Sequence, residues 1–294
     1  MTNYSIVVIT QNEESNIGHC IGACVECSDD VWLVDSCSTD KTTDIAERLG
    51  AKVVEHPFDS WGAQRNYAME SLDFRHDYVL FLDADEQIDT AFGRELQEEI
   101  AVGRYAAFHV NFDIYFLGKV LRHAHENPPV LRVVKKGFGR WVSEGAREYC
   151  VVDGAVGRIR TRIRHEDRKG IFFWLAKHIR NADREANLIL NRERCIALDD
   201  ITRKATFERP GRVRLRRLLG RLPSGLRPGL VFLYRYFLRL GFLDGYPGFA
   251  FCVLQGFWYN FIIDLRTREA ALGHDNYVPS YGGERTQSPV EMHR

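Results

Sequence analysis

The sequence predicts an α/β protein with a mixed sheet, helices on both faces of that sheet, and a helical region near the C-terminus. Short apolar runs alternate with helical patterns over the first hundred residues, as is typical of parallel strands joined by right-handed crossovers. Closely spaced strand patterns follow and favour mixed or antiparallel pairing. Beyond about residue 200 the chain is first rich in arginine and then apolar. We therefore expect a main domain over residues 1–200, a basic and aromatic helical region over 201–270 and a loose tail over 271–294.

The first half of the main domain is predicted to alternate strictly between strands and helices. A β-branched run predicts the first strand, and apolar residues at helical spacing predict the first helix. The predicted elements, in order, are Tyr4–Thr10, Asn12–Cys27, Val31–Asp35, Lys41–Leu49, Lys52–Glu55, Gly62–Leu72 and Tyr78–Asp83. The last of them is apolar almost throughout, which indicates a central strand covered on both faces.

The second half of the main domain begins with a helix at Asp89–Val102 and then changes to strands separated by loops. These strands are predicted at Ala106–Phe112, Val130–Val134, Arg147–Val152 and Gly157–Arg164. A long helix with a polar face is predicted at Phe172–Cys195. Mixed pairing of the later strands would extend the parallel part of the sheet.

Charge and cysteine content exclude some classes of protein. The formal net charge is zero, which argues against a nucleic-acid binder held by a basic surface. Seven cysteines in a chain of this length do not suggest a disulfide framework. Cys20, Cys24 and Cys27 could suggest zinc, but their spacing follows one helical face and favours buried cysteines. The N-terminus lacks a signal-peptide pattern, so we expect a cytoplasmic protein in a reducing environment.

Polar residues follow three of the predicted strands, where ligands of open α/β sheets bind. The segments are Thr10–Glu14, Asp35–Asp40 and Asp83–Glu86. Asp83 and Asp85 can both turn toward one point, and such an oxygen-rich site suits Mg²⁺ or Mn²⁺ bridging carboxylates to substrate phosphates. Asp35 has a second interpretation as a turn residue before a helix. Neither GxGxxG after the first strand nor GxxxxGK[ST] occurs, so a metal and basic side chains would have to hold phosphates.

Four motifs occur in a fixed order over about 85 residues. They are SIVVITQNEE from Ser5 with Asn16-Ile17, VDSCSTD from Val34, QRN from Gln64 and LDADE from Leu82. In this order they resemble family 2 inverting glycosyltransferases, whose GT-A fold is a Rossmann-like mixed sheet. The chain resembles more closely the bacterial subgroup that includes lipopolysaccharide-core β-1,4-glucosyltransferases. That likeness extends through Gly154–Ile159, His165 and Arg239–Gly245 followed by Gly248.

The resemblance implies a role for each motif residue in binding a nucleotide sugar, with UDP as the expected nucleotide. Asp35 would accept a hydrogen bond from the base, Thr10 and Glu13 would flank base and ribose, and Asp83 would reach ribose or metal. Asp85 would hold Mg²⁺ or Mn²⁺ on the diphosphate, Arg65 would balance phosphate charge, and His165 would lie near the diphosphate or metal.

The general base is the assignment with open alternatives. Inversion by direct displacement needs a carboxylate that takes the proton of the acceptor hydroxyl. Related sequences tend to carry Val-His-Glu near the end of the domain, where this chain has Ala146-Arg147-Glu148. Glu148 is therefore the predicted base, although Arg147 departs from the pattern, and Glu144 and Glu166 are the alternatives.

The C-terminal region predicts contact with a membrane. Residues 203–239 contain 11 basic residues and one acidic residue, and Tyr246–Ile263 carries no charge. Arginines could bind anionic headgroups while aromatic side chains enter the interface. A spanning helix is not favoured, because Pro247, Gln255 and Asn260 interrupt the apolar stretch. The remaining alternative is a helical pair packed on the main domain.

Together these features predict an enzyme that transfers a sugar from a nucleotide-sugar donor to a glycolipid or lipid-linked glycan. We expect it at the inner face of a bacterial membrane, with no nucleic-acid partner, and a homo-oligomer remains open. Two rival functions are a metal-dependent nucleotidyltransferase and an inactive scaffold. The first lacks its glycine-rich phosphate loop, and the second is disfavoured because Asp35, Asp83 and Asp85 are all present.

Overall fold

The computed structural model describes residues 3–144, 147–190 and 225–272, without the side chains of residues 143–148, 188 and 271. The strands are β1 Tyr4–Thr10, β2 Val31–Asp35, β3 Lys52–Glu55, β4 Tyr78–Asp83, β5 Glu86–Gln87, β6 Ala107–Phe116, β7 Lys119–Val120, β8 Val130–Lys135, β9 Gly139–Glu144, β10 Arg147–Val152 and β11 Val156–His165. The arginine-rich stretch 203–221, most of the predicted tail and the end of the predicted long helix lie outside the described residues.

The helices follow the predicted order. They are α1 Ile17–Cys27, α2 Thr42–Arg48, α3 Trp61–Ser71, α4 Thr90–Val102, α5 Gly170–Leu190, α6 Leu226–Leu233, α7 Gly245–Phe251 and α8 Tyr259–Ala271. A π-helical turn, Tyr234–Leu238, extends α6, a 3₁₀ turn at Gly241–Asp244 precedes α7, and a second π-helical turn, Cys252–Trp258, joins α7 to α8.

The main sheet has the strand order β3-β2-β1-β4-β8-β6-β11-β5, with β7 paired to β6. Strands β3, β2, β1 and β4 are parallel, and β8 joins both β4 and β6 in antiparallel pairing. This mixed sheet with helices and the helical C-terminal region confirm the predicted fold class. Alternate residues of β1 enter different cores: Ile6 and Val8 pack with α1 and α4, whereas Val7 and Ile9 pack on the side of α3 and β9.

The structure differs from the sequence prediction at two places near the site. The first helix begins at Ile17 rather than Asn12, because Asn12 has a left-handed φ of 52° and the residues after it form a loop against the segment after β2. Strand β9 was not predicted, since glycines at positions 137 and 139 conceal it in the sequence. It pairs with β10 to form a separate two-stranded sheet over α3.

The cysteines of α1 confirm the prediction of a buried helix face. Cys20, Cys24 and Cys27 are free thiols within the core. Burial and the neighbouring Cys24 raise the pKa of the Cys27 thiol to about 11. These residues act as small apolar side chains between α1 and the sheet.

The C-terminal helices pack on the main domain through α5 and the segment after β6. Ile263 of α8 lies in a buried cluster with Ala182 and Ala186 of α5, and Arg266 donates to Asp183 at 2.6 Å. Among the described residues, one helical stretch, Gly241–Ala270, is long and apolar enough by composition to cross a membrane.

Asp30, just before β2, ties together three neighbouring parts of the parallel sheet. Its buried carboxylate accepts hydrogen bonds from the Ser5 hydroxyl at 2.6 Å, the Arg75 backbone N–H at 2.8 Å and Lys52 Nζ at 2.7 Å. Burial disfavours the charged form, but hydrogen bonds from Lys52 and Ser5 outweigh it and lower the pKa of Asp30. The charged carboxylate therefore stabilises the fold at neutral pH.

We expect Asp30→Asn to lower the free energy of unfolding by about 1–3 kcal/mol at pH 7, because charge-assisted hydrogen bonds are lost from a buried site. The pKa of Asp30 is lower in the folded protein, so its contribution is present above pH ~4 and is lost as the pH falls through the folded value. Urea unfolding at pH 7 and pH 3 measures this. The control Asp29→Asn removes an exposed carboxylate that pairs with Arg75 and should change stability by less than about 1 kcal/mol. An equal Asp30→Asn effect at both pH values would contradict the assignment.

Candidate active site

The carboxyl ends of three parallel strands bring the predicted donor-site residues to one edge of the sheet. Thr10 lies opposite Asp35 in the β1–β2 pairing, and Ile9 lies opposite Asp83 in the β1–β4 pairing. The register therefore places Thr10, Asp35 and Asp83 side by side at the strand ends. This is the arrangement that the spacing of the motifs predicts.

The loops after β1 and β2 are locked together by side-chain hydrogen bonds. The Asn12 backbone N–H donates to Ser38 Oγ at 2.8 Å, and the Thr39 backbone N–H donates to Asn12 Oδ1 at 2.8 Å. Asn12 and Cys37 both have left-handed φ angles, 52° and 57°. Left-handed backbone at non-glycine residues is rare and clusters at functional loops. The two loops thus form a fixed rim around the strand ends.

Asp35 holds the turn at the end of β2. Its buried carboxylate accepts the Ser38 backbone N–H at 2.7 Å and the Ser38 hydroxyl at 2.5 Å, so the turn-residue interpretation is realised in the structure. The role of Asp35 toward a nucleotide base stays a prediction. The Thr10 hydroxyl beside it is buried and makes no hydrogen bond within the described residues.

Glu13 links the loop after β1 to the segment after β11. Its carboxylate pairs with Lys169 and accepts Asn16 Nδ2 at 2.7 Å. Asn16 in turn donates to Asp167 at 3.1 Å and accepts the Arg168 backbone N–H at 2.9 Å. Burial raises the pKa of Glu13 even though Lys169 favours the charged form. The first loop and the His165–Lys169 segment therefore form one wall of the site.

Asp83 is held between two arginines. Arg65 donates to Asp83 Oδ1 at 3.0 Å, and Arg132 of β8 donates to Asp83 Oδ2 at 2.7 Å. Arg132 also donates to Glu86 at 2.6 Å, and Glu86 accepts the Asp83 backbone N–H at 2.9 Å. Burial opposes ionisation of Asp83, but Arg132 and Arg65 outweigh it and hold its pKa well below the usual range. Asp83 is therefore a fixed, charged carboxylate.

Asp85 points toward His165 at the end of β11. The distance from Asp85 Oδ2 to His165 Nε2 is 3.3 Å, and the Asp85 carbonyl accepts the Glu166 backbone N–H at 2.9 Å. Burial opposes ionisation of Asp85, but His165 outweighs it and lowers the pKa of Asp85 to about 2. Burial of His165 is likewise outweighed by Asp85, which raises the pKa of His165 to about 9. The structure thus brings together two residues that lie 80 positions apart.

Three basic residues of the site escaped the sequence analysis. They approach the acidic strand ends from three elements. Arg132 lies on β8, Lys169 precedes α5, and Lys177 lies on α5. The charges of Asp85 and Asp167 raise the pKa of the mostly buried Lys177, against the effect of burial. In the sequence, the one sign that Arg132 has a special role is that a basic residue interrupts the apolar start of the strand VLRVVK. The site therefore combines acidic strand ends with a basic wall.

The side chains at the strand ends offer Mg²⁺ or Mn²⁺ only part of a ligand shell. Within the described residues, no group of three His, Cys, Asp or Glu side chains is arranged to hold a metal ion. Magnesium in phosphate-transfer sites commonly uses one or two carboxylates, and substrate phosphates and water supply the remaining ligands. The Asp85 carboxylate fits that partial set, and the adjacent His165 would join it only in its neutral form, because a protonated imidazole cannot bind a metal. The Asp83 carboxylate contacts two arginines.

The candidates for the general base lie in different environments. Glu148 belongs to β10 and lies opposite Ser143 of β9, while Glu144 lies opposite Arg147; the side chains of these residues are outside the described set. Asn66, next to Arg65, fixes this hairpin by exchanging hydrogen bonds of 2.8 and 2.9 Å with the Trp141 backbone. The Glu166 carboxylate contacts Arg164 at 2.8 Å and Arg168 at 2.7 Å.

The C-terminal region clamps the loop that runs from β7 to β8. The buried Asp244 carboxylate accepts the backbone N–H groups of Arg122, His123 and Ala124 at 3.1, 2.9 and 2.8 Å. Arg239 pairs with Glu126 at 3.0 Å and donates to the His125 carbonyl at 3.2 Å. The Arg239–Gly245 motif therefore fixes this loop.

The clamped loop leads back to the active site. Asn127, two residues after His125, donates to the Phe112 carbonyl. The Phe112 ring packs edge-on against His165, with ring centroids 5.9 Å apart. The C-terminal region is thus connected to the acidic strand ends through the loop and the Phe112 ring, which also lies 5.5 Å from the Arg132 guanidinium.

Comparison with known proteins identifies related sequences. The model of the family described as Glycosyl transferase family 2 matches residues 5–165, more than half of the chain. An uncharacterized glycosyltransferase of Rickettsia typhi is 37% identical over 125 residues, covering 40% of this chain and 41% of that protein. One of Rickettsia conorii is 44% identical over 96 residues, covering 33% and 32%. The chain thus matches about two fifths or less of these relatives' lengths.

Two solved structures show distant similarity. Residues 1–349 of Staphylococcus aureus TarS in complex with UDP-GlcNAc superpose with a TM-score of 0.45 at 16% identity, covering 92% of each chain. Glucosyl-3-phosphoglycerate synthase from Mycobacterium tuberculosis in complex with Mg²⁺ and UDP gives a TM-score of 0.40 at 16% identity, covering 60% of this chain and 74% of that chain.

We expect Asp244→Asn to release the loop after β7, because an amide cannot reproduce three charge-assisted hydrogen bonds, worth about 1.5–3 kcal/mol each. Hydrogen exchange at the backbone amides of Arg122, His123 and Ala124 should become faster. The matched control is Asp264→Asn, which removes a carboxylate from the same helical region that pairs with Arg227 at 2.9 Å. It should leave those three amides protected. Unchanged exchange in Asp244→Asn would contradict the clamp.

Proposed function

The chain belongs to glycosyl transferase family 2, and we propose that it transfers a sugar with inversion from a UDP-linked donor to a glycolipid or lipid-linked glycan. The observation that carries this proposal is the edge where β1, β2 and β4 end. Asp83 and Asp85 lie there among the basic side chains of Arg65, Arg132 and Lys177. The lipopolysaccharide-core subgroup is the proposed branch of the family, and surface polysaccharide synthesis is the proposed setting.

The nucleotide is proposed to bind over the locked loops. Thr10 offers a buried hydroxyl without a hydrogen-bond partner in the described structure, and Asp35 presents its carboxylate at the same height in the sheet. Glu13 would approach the ribose from the loop after β1. Since Asp83 is fixed by two arginines, the remaining lone pair of Oδ2 can accept a hydrogen bond from a ribose hydroxyl without any reorientation of the side chain.

The diphosphate is proposed to lie between Asp85 and the basic wall. Asp85 and His165 would hold Mg²⁺ or Mn²⁺, which supplies charge neutralisation for the departing nucleoside diphosphate when bound. Arg65, held by Asp83, and Lys177 add positive charge at this place. Preorganised charges of this kind stabilise developing negative charge without the cost of reorienting during the reaction.

Glu148 is proposed as the base that takes the proton of the acceptor hydroxyl. A base must reach the acceptor on the face opposite the leaving group. The hairpin that carries Glu148 is fixed to α3 beside Arg65, which supports a position close to the donor. Glu144 remains an alternative on the same hairpin, and Glu166 is a weaker one because Arg164 and Arg168 already engage its carboxylate.

The protein is proposed to work at the cytoplasmic face of the cell membrane. Exposed apolar residues in the described C-terminal helices and the basic sequence between residues 203 and 239 support this location. A lipid-linked acceptor would then be reached from the membrane surface. Family membership argues against the nucleotidyltransferase alternative, and the preserved acidic strand ends argue against an inactive scaffold.

We expect Asp85→Asn to lower sugar transfer at least about 100-fold while the fold is retained, because loss of a metal ligand removes several kcal/mol of charge stabilisation. A donor screen by release of nucleoside diphosphate, with and without EDTA, measures the rate and identifies the nucleotide and sugar. Asp73→Asn, an exposed change beyond the opposite end of β4, is the control and should be fully active. Normal Mn²⁺-dependent turnover by Asp85→Asn would disprove the metal assignment.

We expect Glu148→Gln to bind UDP with unchanged affinity by calorimetry but to lose transfer by about 10²–10⁴-fold, because the amide cannot accept the proton. Glu144→Gln and Glu166→Gln are the matched comparisons and should retain most activity. If Glu148→Gln remains active and Glu144→Gln or Glu166→Gln loses transfer, the base is the residue whose change abolishes transfer.

A further inference from the structure

The connection between α6 and α7 exposes a dense group of large apolar side chains. We call this group the apolar tip; its members, with exposed fractions from 43% to 77%, are Phe237, Leu238, Leu240, Phe242, Leu243 and Tyr246. They fall within ten consecutive residues. Soluble proteins seldom expose so many large apolar residues in one contiguous patch unless the patch contacts a partner or a membrane.

The two charged residues within the tip are turned toward the protein. Arg239 contacts Glu126 and the His125 carbonyl. Asp244 is 3% exposed and accepts three backbone N–H groups of the clamped loop. The outward face of the tip is therefore apolar, because its charges are used in holding the tip on the main domain.

The tip is a packed structure rather than a loose loop. A Cβ atom on Gly241 would lie 2.7 Å from the Arg235 carbonyl oxygen, and one on Gly248 would lie 2.4 Å from the Gly241 carbonyl oxygen. Leu240, just before the 3₁₀ turn, adopts a left-handed φ of 61°. Such close backbone contacts fix the apolar side chains in an outward orientation.

Basic residues lie at the base of the tip. Lys119 Nζ is 3.5 Å from the position of a Cβ on Gly245, and the exposed Arg122 belongs to the loop held by Asp244. An apolar surface with cations at its edge matches a bilayer with anionic headgroups. A symmetric contact between two copies would bring these cations together, which is unfavourable.

From this arrangement we infer that the apolar tip inserts into the surface of an anionic phospholipid bilayer as a monotopic anchor. A spanning helix does not fit the packing at the other end of the apolar stretch. Ile263 is buried against α5, and Arg266 and Asp264 pair with Asp183 and Arg227. The inference deepens the membrane contact proposed above, and its test measures lipid binding directly, without sugar transfer.

The experiment is flotation of the full-length protein with vesicles of phosphatidylcholine and phosphatidylglycerol in a 3:1 ratio. Wild type should float with the vesicles, and raised salt should weaken this binding without abolishing it, because only the electrostatic part is screened. The triple variant Leu238→Ser, Leu243→Ser, Tyr246→Ser should lower the partition coefficient at least about tenfold. The control Val25→Ser, Leu49→Ser, Val102→Ser removes exposed apolar residues from α1, the end of α2 and α4 and should bind as wild type does.

UDP binding and thermal unfolding show that each variant is folded, and they report on the donor site separately from the tip. Leu238→Glu is a second test variant. It changes only the most exposed residue of the tip, so it is less disruptive to folding than the triple variant, and it should also reduce flotation. The inference is overturned if the triple variant floats like wild type, if wild type does not float at low salt, or if the protein resists carbonate extraction as a spanning protein does. It is equally overturned if wild type is a lipid-free dimer that the triple variant converts to monomers without any vesicle binding.

Discussion

The bridge from Arg132 to Asp83 and Glu86 is the interaction on which the acidic edge of the sheet depends. Without positive charge, three carboxylates within four residues of one strand end would repel each other in a mostly buried site. Arg132 reaches them because β8 pairs antiparallel with β4. Arg65 completes the arrangement from α3. Opposite charges brought in by tertiary structure thus lower the pKa values of Asp83 and Asp85, whereas burial and these two carboxylates raise the pKa of Glu86 to about 7 despite Arg132. Breaking one such buried pair would cost more than forming it gains.

The parallel half of the fold was predictable because its signals are local. β1, β2 and β4 each show a run of mainly apolar residues, and each run ends where a polar motif begins. Parallel strands then bring those polar motifs to one edge without further information. Thr10, Asp35 and Asp83 are adjacent in the structure for this reason. The roles of these three residues in nucleotide binding are inferred from the family resemblance and not from the geometry of the strands.

Apart from Arg65, the basic half of the site was not predictable, because its residues come from elements far apart in the sequence. Lys177 lies on a helix whose polar face gives no sign of which residue turns inward. Asp85 and His165 meet only because β5 pairs with β11. Of the β9–β10 hairpin, the sequence predicts only β10, because Gly139 at the start of β9 weakens the strand pattern. Long-range pairing of this kind leaves little trace in a single sequence.

The contacts of Arg239 and Asp244 change the meaning of the predicted boundary near residue 200. Composition sets a basic and aromatic rear apart from the main domain there, as if two units had separate tasks. In the structure, the rear returns to the front and fixes the loop before β8, and β8 supplies Arg132 to the acidic edge. The apolar tip therefore has two faces. Its apolar side chains point outward, and its charged residues, Arg239 and Asp244, point inward and hold this loop. A contact made by the outer face is separated from Asp83 by one loop and one strand, so the C-terminal region also supports the acidic edge of the sheet.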